Sequence, residues 1–292
     1  MRYQFKYFIL SMRPHQWVKN IVIFAAIIFS YNIVRWNMLA RVMAAFLLFC
    51  VFSGCVYILN DLLDIESDRK HPLKCRRPIA SGNLGKSTAI WGTVAIGLGG
   101  SVSAWFLGRP FFFIALSYFL LQVAYSYRLK QIVILDVFSI ASGFVLRVIA
   151  GAEVIHVPIS SWLLVCTMLL SLFLALSKRR HELVFLKDEA ISHRKTLQEY
   201  SPYLLDQMIA VVTSATVVAY ALYTLAPETV QKFHTTRLIY TVPFVLYGIL
   251  RYLYLIHQKQ AGGKPEELLV TDKPLLINVL IYGLVVILIL YF

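Results

Sequence analysis

Nine predominantly apolar stretches, each near the ~20 residues needed to cross a bilayer, dominate this chain. They lie near 17–34, 40–62, 88–107, 111–127, 132–152, 160–177, 207–226, 237–256 and 274–292. Hydrocarbon offers no partner to a backbone N–H or C=O, so open runs of this length select helices. The pattern predicts an all-α, polytopic membrane protein of about nine transmembrane helices, one integral-membrane domain over residues 1–292. Only Gly108, Arg109 and Pro110 separate the third and fourth stretches, which predicts a tight helical hairpin. With 59% hydrophobic and 15% charged residues, the chain departs from the roughly 25% charge of soluble domains. Residues 1–19 are basic and lead into a full-length apolar stretch with no small-residue cleavage site, so no cleavable leader is expected. No internal repeat, low-complexity tract or soluble domain is visible.

The basic residues give the expected orientation. With the N-terminus cytoplasmic, that side receives segments 1–19, 63–87, 128–131, 178–206 and 251–273, which hold 22 of the 28 Lys and Arg residues. Arg35, Arg41, Arg109, Lys232 and Arg237 fall on the other side, and Arg147 falls inside a span. Such an asymmetry places the basic loops in the cytoplasm of a cell-membrane protein, with the C-terminus external. The net charge of +13 then serves mainly orientation and contact with anionic lipid. Split among short loops, it does not suit nucleic acid. Of the four cysteines, Cys50, Cys55 and Cys166 lie in spans and Cys75 in a loop, with no CxxC pair. The histidines show no metal-ligand spacing. "GLGG" near Gly97 has no strand before it and reads as close helix packing.

Charge concentrates in one place. "NDLLDIESDRKHPLKCRRPIASG", residues 60–82, carries Asp61, Asp64, Glu66 and Asp68, then Arg69, Lys70, His71, Lys74, Arg76 and Arg77. On a helix, the i, i+3, i+7 spacing of Asp61, Asp64 and Asp68 puts them on one face, and Asn60 joins it. Stacked carboxylates at a membrane boundary are expensive without a partner. A divalent ion between Asp61 and Asp64 would supply one, with Asp68 reaching it through water or holding a second. Mg2+ favours one or two carboxylates, water and phosphate oxygens. The basic run that follows suits the rest of a polyanion.

"NDLLDIESDR" resembles the N-D-x-x-D-x-x-x-D-R motif of the UbiA superfamily of intramembrane prenyltransferases, and the resemblance spans essentially the whole chain. It implies a UbiA-like bundle with a cytoplasmic cap, in which Asn60, Asp61, Asp64 and Asp68 bind Mg2+ and, through it, a diphosphate. The usual second motif is incomplete. "YSYRLKQIVILDVFSI" supplies Tyr125, Tyr127, Lys130 and Asp136, but Ile140 stands where a further acid is common. That stretch, "SGFVLRVIAGA", "RPHQWVKN" (13–20), "HPLKCRRPIASG" (71–82) and "KRRHE" (178–182) look like the branch that transfers phosphoribose to polyprenyl phosphate.

The resemblance therefore implies transfer of 5-phosphoribose from phosphoribosyl diphosphate (PRPP) to a polyprenyl, decaprenyl-like phosphate, releasing pyrophosphate, for cell-envelope glycan precursors. The alternative is aromatic prenyl transfer from a polyprenyl diphosphate, as in quinone or haem synthesis. Both donors ionise to a cation-like carbon, and Mg2+ with Lys and Arg stabilises the leaving diphosphate. A polyprenyl phosphate is already an anionic nucleophile (second pKa about 6) and needs no strong base. It does need cations to meet a second polyanion. Lys19, Lys74, Arg76, Arg77, Lys130, Lys178, Arg179 and Arg180 stand at cytoplasmic helix ends, with Lys178 and Arg179 preferred over Arg180. The catalytic candidates are Asp61, Asp64 and Asp136. Substrate contacts fall to Lys19, Asn20, Asn60, Lys74, Arg77, Tyr127, Lys130, Arg147, Lys178 and Arg179. Lys130 or the Lys178–Arg179 pair would serve the second anionic group of the sugar donor. Arg147, eleven residues after Asp136, shares its helical face about 16 Å deeper, where it would meet a lipid phosphate or an internal acid, or pair with Glu153. Residues 262–274 read as the cap, with Asp272 a weaker candidate. A transporter would show repeats or broken helices with charge at midplane, and this chain puts charge at one face. Self-association is left open.

Overall fold

A computed structural model describes residues 2–30, 32–71, 74–193, 195–259, 263 and 265–291. Among them every regular element is a helix, with no strand. The helices are α1 (Arg2–Ser11), α2 (Ala25–Ile28), α3 (Trp36–Leu63), α4 (Ile65–Lys70), α5 (Lys86–Leu107), α6 (Arg109–Tyr127), α7 (Leu135–Glu153), α8 (Ser161–His193), α9 (Pro202–Leu225), α10 (Pro227–Phe233), α11 (Val242–Gln258), α12 (Pro265–Thr271) and α13 (Lys273–Tyr291). Among the described residues, eight helical segments are long and apolar enough to span a membrane. Their outward faces carry large apolar side chains such as Trp91, Phe106 and Leu280, a surface suited to lipid and not to water.

The first expected span is corrected. In place of one helix over 17–34, Pro14–Phe24 winds as a 3-10 helix and continues into α2. Arg13 lies in the left-handed region (φ 53, ψ 65) directly before Pro14, and a residue before proline is disfavoured in the right-handed α region. The break at the end of α1 follows. Eleven 3-10 residues at about 2.0 Å each, then four α residues at about 1.5 Å, still give this segment roughly 28 Å of length.

The chain divides into two compact units. The first comprises residues 1–127 and 146–158. Its larger apolar core gathers Ile23 and Ile27, Val42 and Phe49 of α3, Phe111 and Tyr118 of α6, and Ala150 and Val154. The Phe49 ring meets Phe111 at 6.1 Å and Tyr118 at 5.1 Å. A second core joins Phe8 and Met12 to Ile58, Ile65, Ile79 and Leu84, and so seats α1 against the helices that carry the acidic motif. Gly151 permits a backbone approach that no side chain would. An added Cβ would stand 2.0 Å from the Ile23 carbonyl oxygen. Arg41 donates to the carbonyls of Val154 (2.7 Å) and Leu107 (3.0 Å), which answers orphan groups at the ends of α7 and α5. The hairpin expected at Gly108 forms, with α5 and α6 separated by that residue alone.

The second unit comprises residues 128–145 and 159–292. Its core joins Val137 and Ala141 to Leu172, Phe173, Leu205, Ile209, Tyr252 and Leu255. Tyr220 hydrogen-bonds the hydroxyls of Thr241 (2.7 Å) and Tyr282 (3.1 Å). Of the expected cap, Gly262 and Lys264 lie outside the described residues, and α12 occupies the next stretch. Asp272 is an end cap for α13. It accepts from the Leu275 amide (2.9 Å) and pairs with Arg251 (2.8 Å), which holds its carboxyl below the ordinary range.

Candidate active site

The acidic motif straddles a helix joint. α3 ends at Leu63, Asp64 sits at φ −98, ψ 12, and α4 resumes at Ile65. Hydrogen bonds carry through the joint, from the Asp64 amide to the Asn60 carbonyl (2.9 Å) and from the Asp68 amide to the Asp64 carbonyl (2.8 Å). The i, i+4 ladder therefore keeps the acids in sequence along one side. Asp61 and Asp68 are each 2% exposed, Asp64 and Asn60 are half-buried, and Glu66 is exposed. Arg77 bridges the two buried acids, with Nη1 3.2 Å from Asp61 Oδ1 and 2.6 Å from Asp68 Oδ2. Arg13 Nη2 donates to the same Asp61 Oδ1 at 2.5 Å, and its guanidinium lies 4.9 Å from the Tyr57 ring centroid. Arg69 donates to the Ala80 carbonyl (3.2 Å) and ties α4 to the segment after Arg77. Burial without charge balance would be prohibitive, and two guanidinium groups against two carboxylates provide it.

Among the described residues, no three His, Cys, Asp or Glu side chains form a group that could hold a metal. The donor chemistry still fits Mg2+, which needs only one or two carboxylates when water and phosphate oxygens complete its shell. Both guanidinium contacts to Asp61 fall on Oδ1, so neither occupies Oδ2. Lys74 is half-buried, with its amide donating to His71 Nδ1 (3.3 Å). Lys19 is half-buried and Arg76 exposed. Arg13 is the residue that sequence reasoning missed here, although it opens "RPHQWVKN", and only its contact across 48 positions gives it a role.

Asn20 and Arg147, both expected to contact substrate, occupy interior positions. Asn20 is 1% exposed and Arg147 6% exposed. Arg147 donates to Asn20 Oδ1 and to the Tyr118 hydroxyl, both at 2.7 Å, with its guanidinium 4.5 Å from the Tyr118 centroid. The Asn20 amide turns the other way, toward Cys50 Sγ (3.3 Å) and Ser53 (3.4 Å). This polar chain lies inside the first unit. Glu153, once expected beside Arg147, stands 3.9 Å from His156.

In the second unit, Asp136 is fully buried and both its oxygens are engaged. Arg179 Nε donates to Oδ2 (2.8 Å) and the Tyr200 hydroxyl to Oδ1 (2.9 Å). Arg179, 2% exposed, also holds Glu182 at 2.5 Å. These contacts place Asp136 and Arg179 inside the helix bundle, each with protein partners. Arg180 turns to Asp206, with Nη2 3.3 Å from Oδ2, and His257 approaches the same carboxylate at 3.2 Å. Lys178 and Lys130 are half-buried, and Tyr127 is 58% exposed at the end of α6. Tyr200 was not legible as a candidate, since "QEYSP" carries no motif. Burial pushes its phenol up to about 12, the Ile134 amide opposes, and the Asp136 carboxylate adds to the rise. It is therefore a hydrogen-bond donor at neutral pH.

The sequence pattern of the UbiA prenyltransferase family matches residues 20–269. A decaprenyl-phosphate phosphoribosyltransferase of Mycolicibacterium smegmatis is 31% identical, with 91% of this chain and 87% of that one covered. The protein of the same name from Corynebacterium glutamicum is 32% identical, over 91% and 81%. Among solved structures, a UbiA homolog from Archaeoglobus fulgidus bound to GPP and Mg2+ matches with a TM-score of 0.73 at 19% identity, over 96% and 99% of the two chains. That last likeness is one of fold. The match over most of the chain, the long relatives and the acidic motif at the end of α3 agree: this chain belongs to the UbiA prenyltransferase family.

Proposed function

We propose that the protein transfers 5-phosphoribose from phosphoribosyl diphosphate to a polyprenyl phosphate. The C1–diphosphate bond breaks, a bond from C1 to a phosphate oxygen of the lipid forms, and pyrophosphate leaves. The names of the long relatives support the donor and acceptor. The observation that carries the reading is the state of Asp136. With both oxygens engaged by Arg179 and Tyr200, it makes a poor general base, and Ile140 leaves it without the neighbouring acid that a second metal site would use. An acceptor that is already an anion requires neither, whereas a phenol or aromatic ring must lose a proton.

Asp61, Asp64 and Asp68 would hold Mg2+, which when bound neutralises charge on the diphosphate. Arg13 and Arg77, already poised on Asp61 and Asp68, can exchange carboxylate oxygens for those of the arriving diphosphate. They then stabilise the charge that grows on it as the C1 bond breaks. Lys74 adds a third cation next to that cluster. Lys130 and Lys178 are the further cations we assign to substrate anions.

The direct test offers purified protein, with Mg2+, labelled phosphoribosyl diphosphate and polyprenyl phosphate in one arm, and a prenyl diphosphate with an aromatic acid in the other. Labelled lipid should appear in the first arm alone. Lys130→Ala and Lys178→Ala should raise KM for the sugar donor about tenfold to a hundredfold, the scale of a lost charge-assisted hydrogen bond, and change KM for the lipid less. Product in the second arm only would replace this reading with aromatic prenyl transfer.

We also place the N-terminus and the acidic motif in the cytoplasm, a reading supported by the Lys and Arg bias. In intact cells, an impermeant thiol reagent should fail to label a cysteine placed at exposed Arg76 and should label one placed near the end of α13. Labelling at position 76 from outside would invert the topology.

A further inference from the structure

Residues 195–200 grip the stretch that carries Lys130 at two points. The Thr196 hydroxyl donates to the Lys130 carbonyl (3.3 Å). The Tyr200 hydroxyl accepts from the Ile134 amide (2.7 Å) and donates to Asp136 Oδ1 (2.9 Å). Between these points Ile134 sits at φ 69. A β-branched residue there is a true outlier, because its Cβ crowds the following carbonyl. Such strain persists only where the surroundings over-determine it. Side-chain burial is not what holds it, since Ile134 is 42% exposed. Its carbonyl accepts from the Val137 (3.1 Å) and Phe138 (3.0 Å) amides as part of the start of α7, and the restraint from outside that helix is the hydrogen bond its amide donates to Tyr200.

That restraint is itself firmly seated. Tyr200 is 4% exposed and Asp136 is fully buried, with Arg179 on the other carboxylate oxygen. Ile134 immediately precedes α7, so its backbone angles set the direction in which residues 129–133 leave that helix. We propose that Tyr200 is a positioning residue: by locking the strained turn at Ile134 it fixes where Lys130 stands. This rests on the reading that Lys130 meets a substrate anion.

The test uses the full chain in lipid nanodiscs. Tyr200→Phe keeps the ring in the core and removes only the hydroxyl. Amide hydrogen exchange at Ile134 should quicken. KM for phosphoribosyl diphosphate should rise about tenfold, as for one lost hydrogen bond to a charged group, with kcat little changed. Adding Ile134→Asn, a residue that tolerates positive φ, should return most of the lost affinity. Adding Ile134→Val, which keeps the crowding, should not. A general loss of packing would respond alike to both additions. Unchanged exchange at Ile134 in Tyr200→Phe, unchanged KM, or no rescue by asparagine would each overturn the proposal. If the wild-type chain ignores phosphoribosyl diphosphate, the functional reading fails separately, and the exchange measurement alone decides whether Tyr200 holds the turn.

Discussion

Asp61→Asn should lower turnover by roughly 10²–10³-fold, the scale of losing one group that stabilises transition-state charge, while leaving the helices folded. Asparagine matches aspartate in shape, so the change is almost purely one of charge. Asp61 receives both Arg13 and Arg77 on one oxygen and is the most enclosed acid in reach of them, together with Asp68. Removing its charge weakens any hold on Mg2+ and leaves two cations to compete for Asp68. The fold survives because Arg13 and Arg77 keep 24% and 27% of their side-chain surface in contact with solvent, and solvation replaces part of the lost pairing. Chelation of divalent ions in the wild type should give the same loss, restored by added Mg2+. Glu66→Gln is the control, since Glu66 lies on the exposed side of α4 and holds only a loose 3.6 Å contact with Arg69. Activity of Asp61→Asn within severalfold of wild type would remove the motif from the chemistry.

The parts of this molecule that the sequence made legible are the local ones. Apolar runs marked the long helices because a membrane enforces length and hydropathy together. The spacing of Asp61, Asp64 and Asp68 forecast a common side because helical hydrogen bonds persist through the joint at Asp64. The hairpin at Gly108 was fixed by its brevity. The segment from Pro14 to Ile28 reads as helix from composition, yet its winding answers to distant groups. The Ile23 carbonyl presses on Gly151, and Asn20 bonds Arg147 across 127 positions. No periodicity reports such pairings. Arg13 illustrates the same limit, since its neighbours predict only a helix break. Within "KRRHE", no periodicity foretold that Arg179 would pair with Asp136 and Glu182 while Arg180 pairs with Asp206, a divergence that follows from the 100° step between successive helical residues.

Arg179→Ala should destabilise the protein by about 3–5 kcal/mol, the usual penalty for leaving one member of a buried ion pair alone. Asp136 has no exposure through which water could compensate it, and Tyr200 can donate to only one of its oxygens. The unfolding midpoint in detergent should fall sharply, and Asp136→Ala should lower it less, because Arg179 keeps Glu182 as a partner. Arg180→Ala, one residue away, removes a pairing with an Asp206 that is 35% exposed. An ion pair that open to solvent contributes at most about 1 kcal/mol, so its midpoint should shift little. The double replacement Asp136→Asn with Arg179→Met separates structure from substrate binding. It removes both charges while keeping volume, and such compensated pairs are often neutral in stability. Recovered stability with recovered activity would confine Arg179 to holding the bundle together. Recovered stability with activity still lost would show that the guanidinium, buried though it is, supports catalysis through Asp136. A single Arg179→Ala variant as stable as wild type would contradict the buried pair itself.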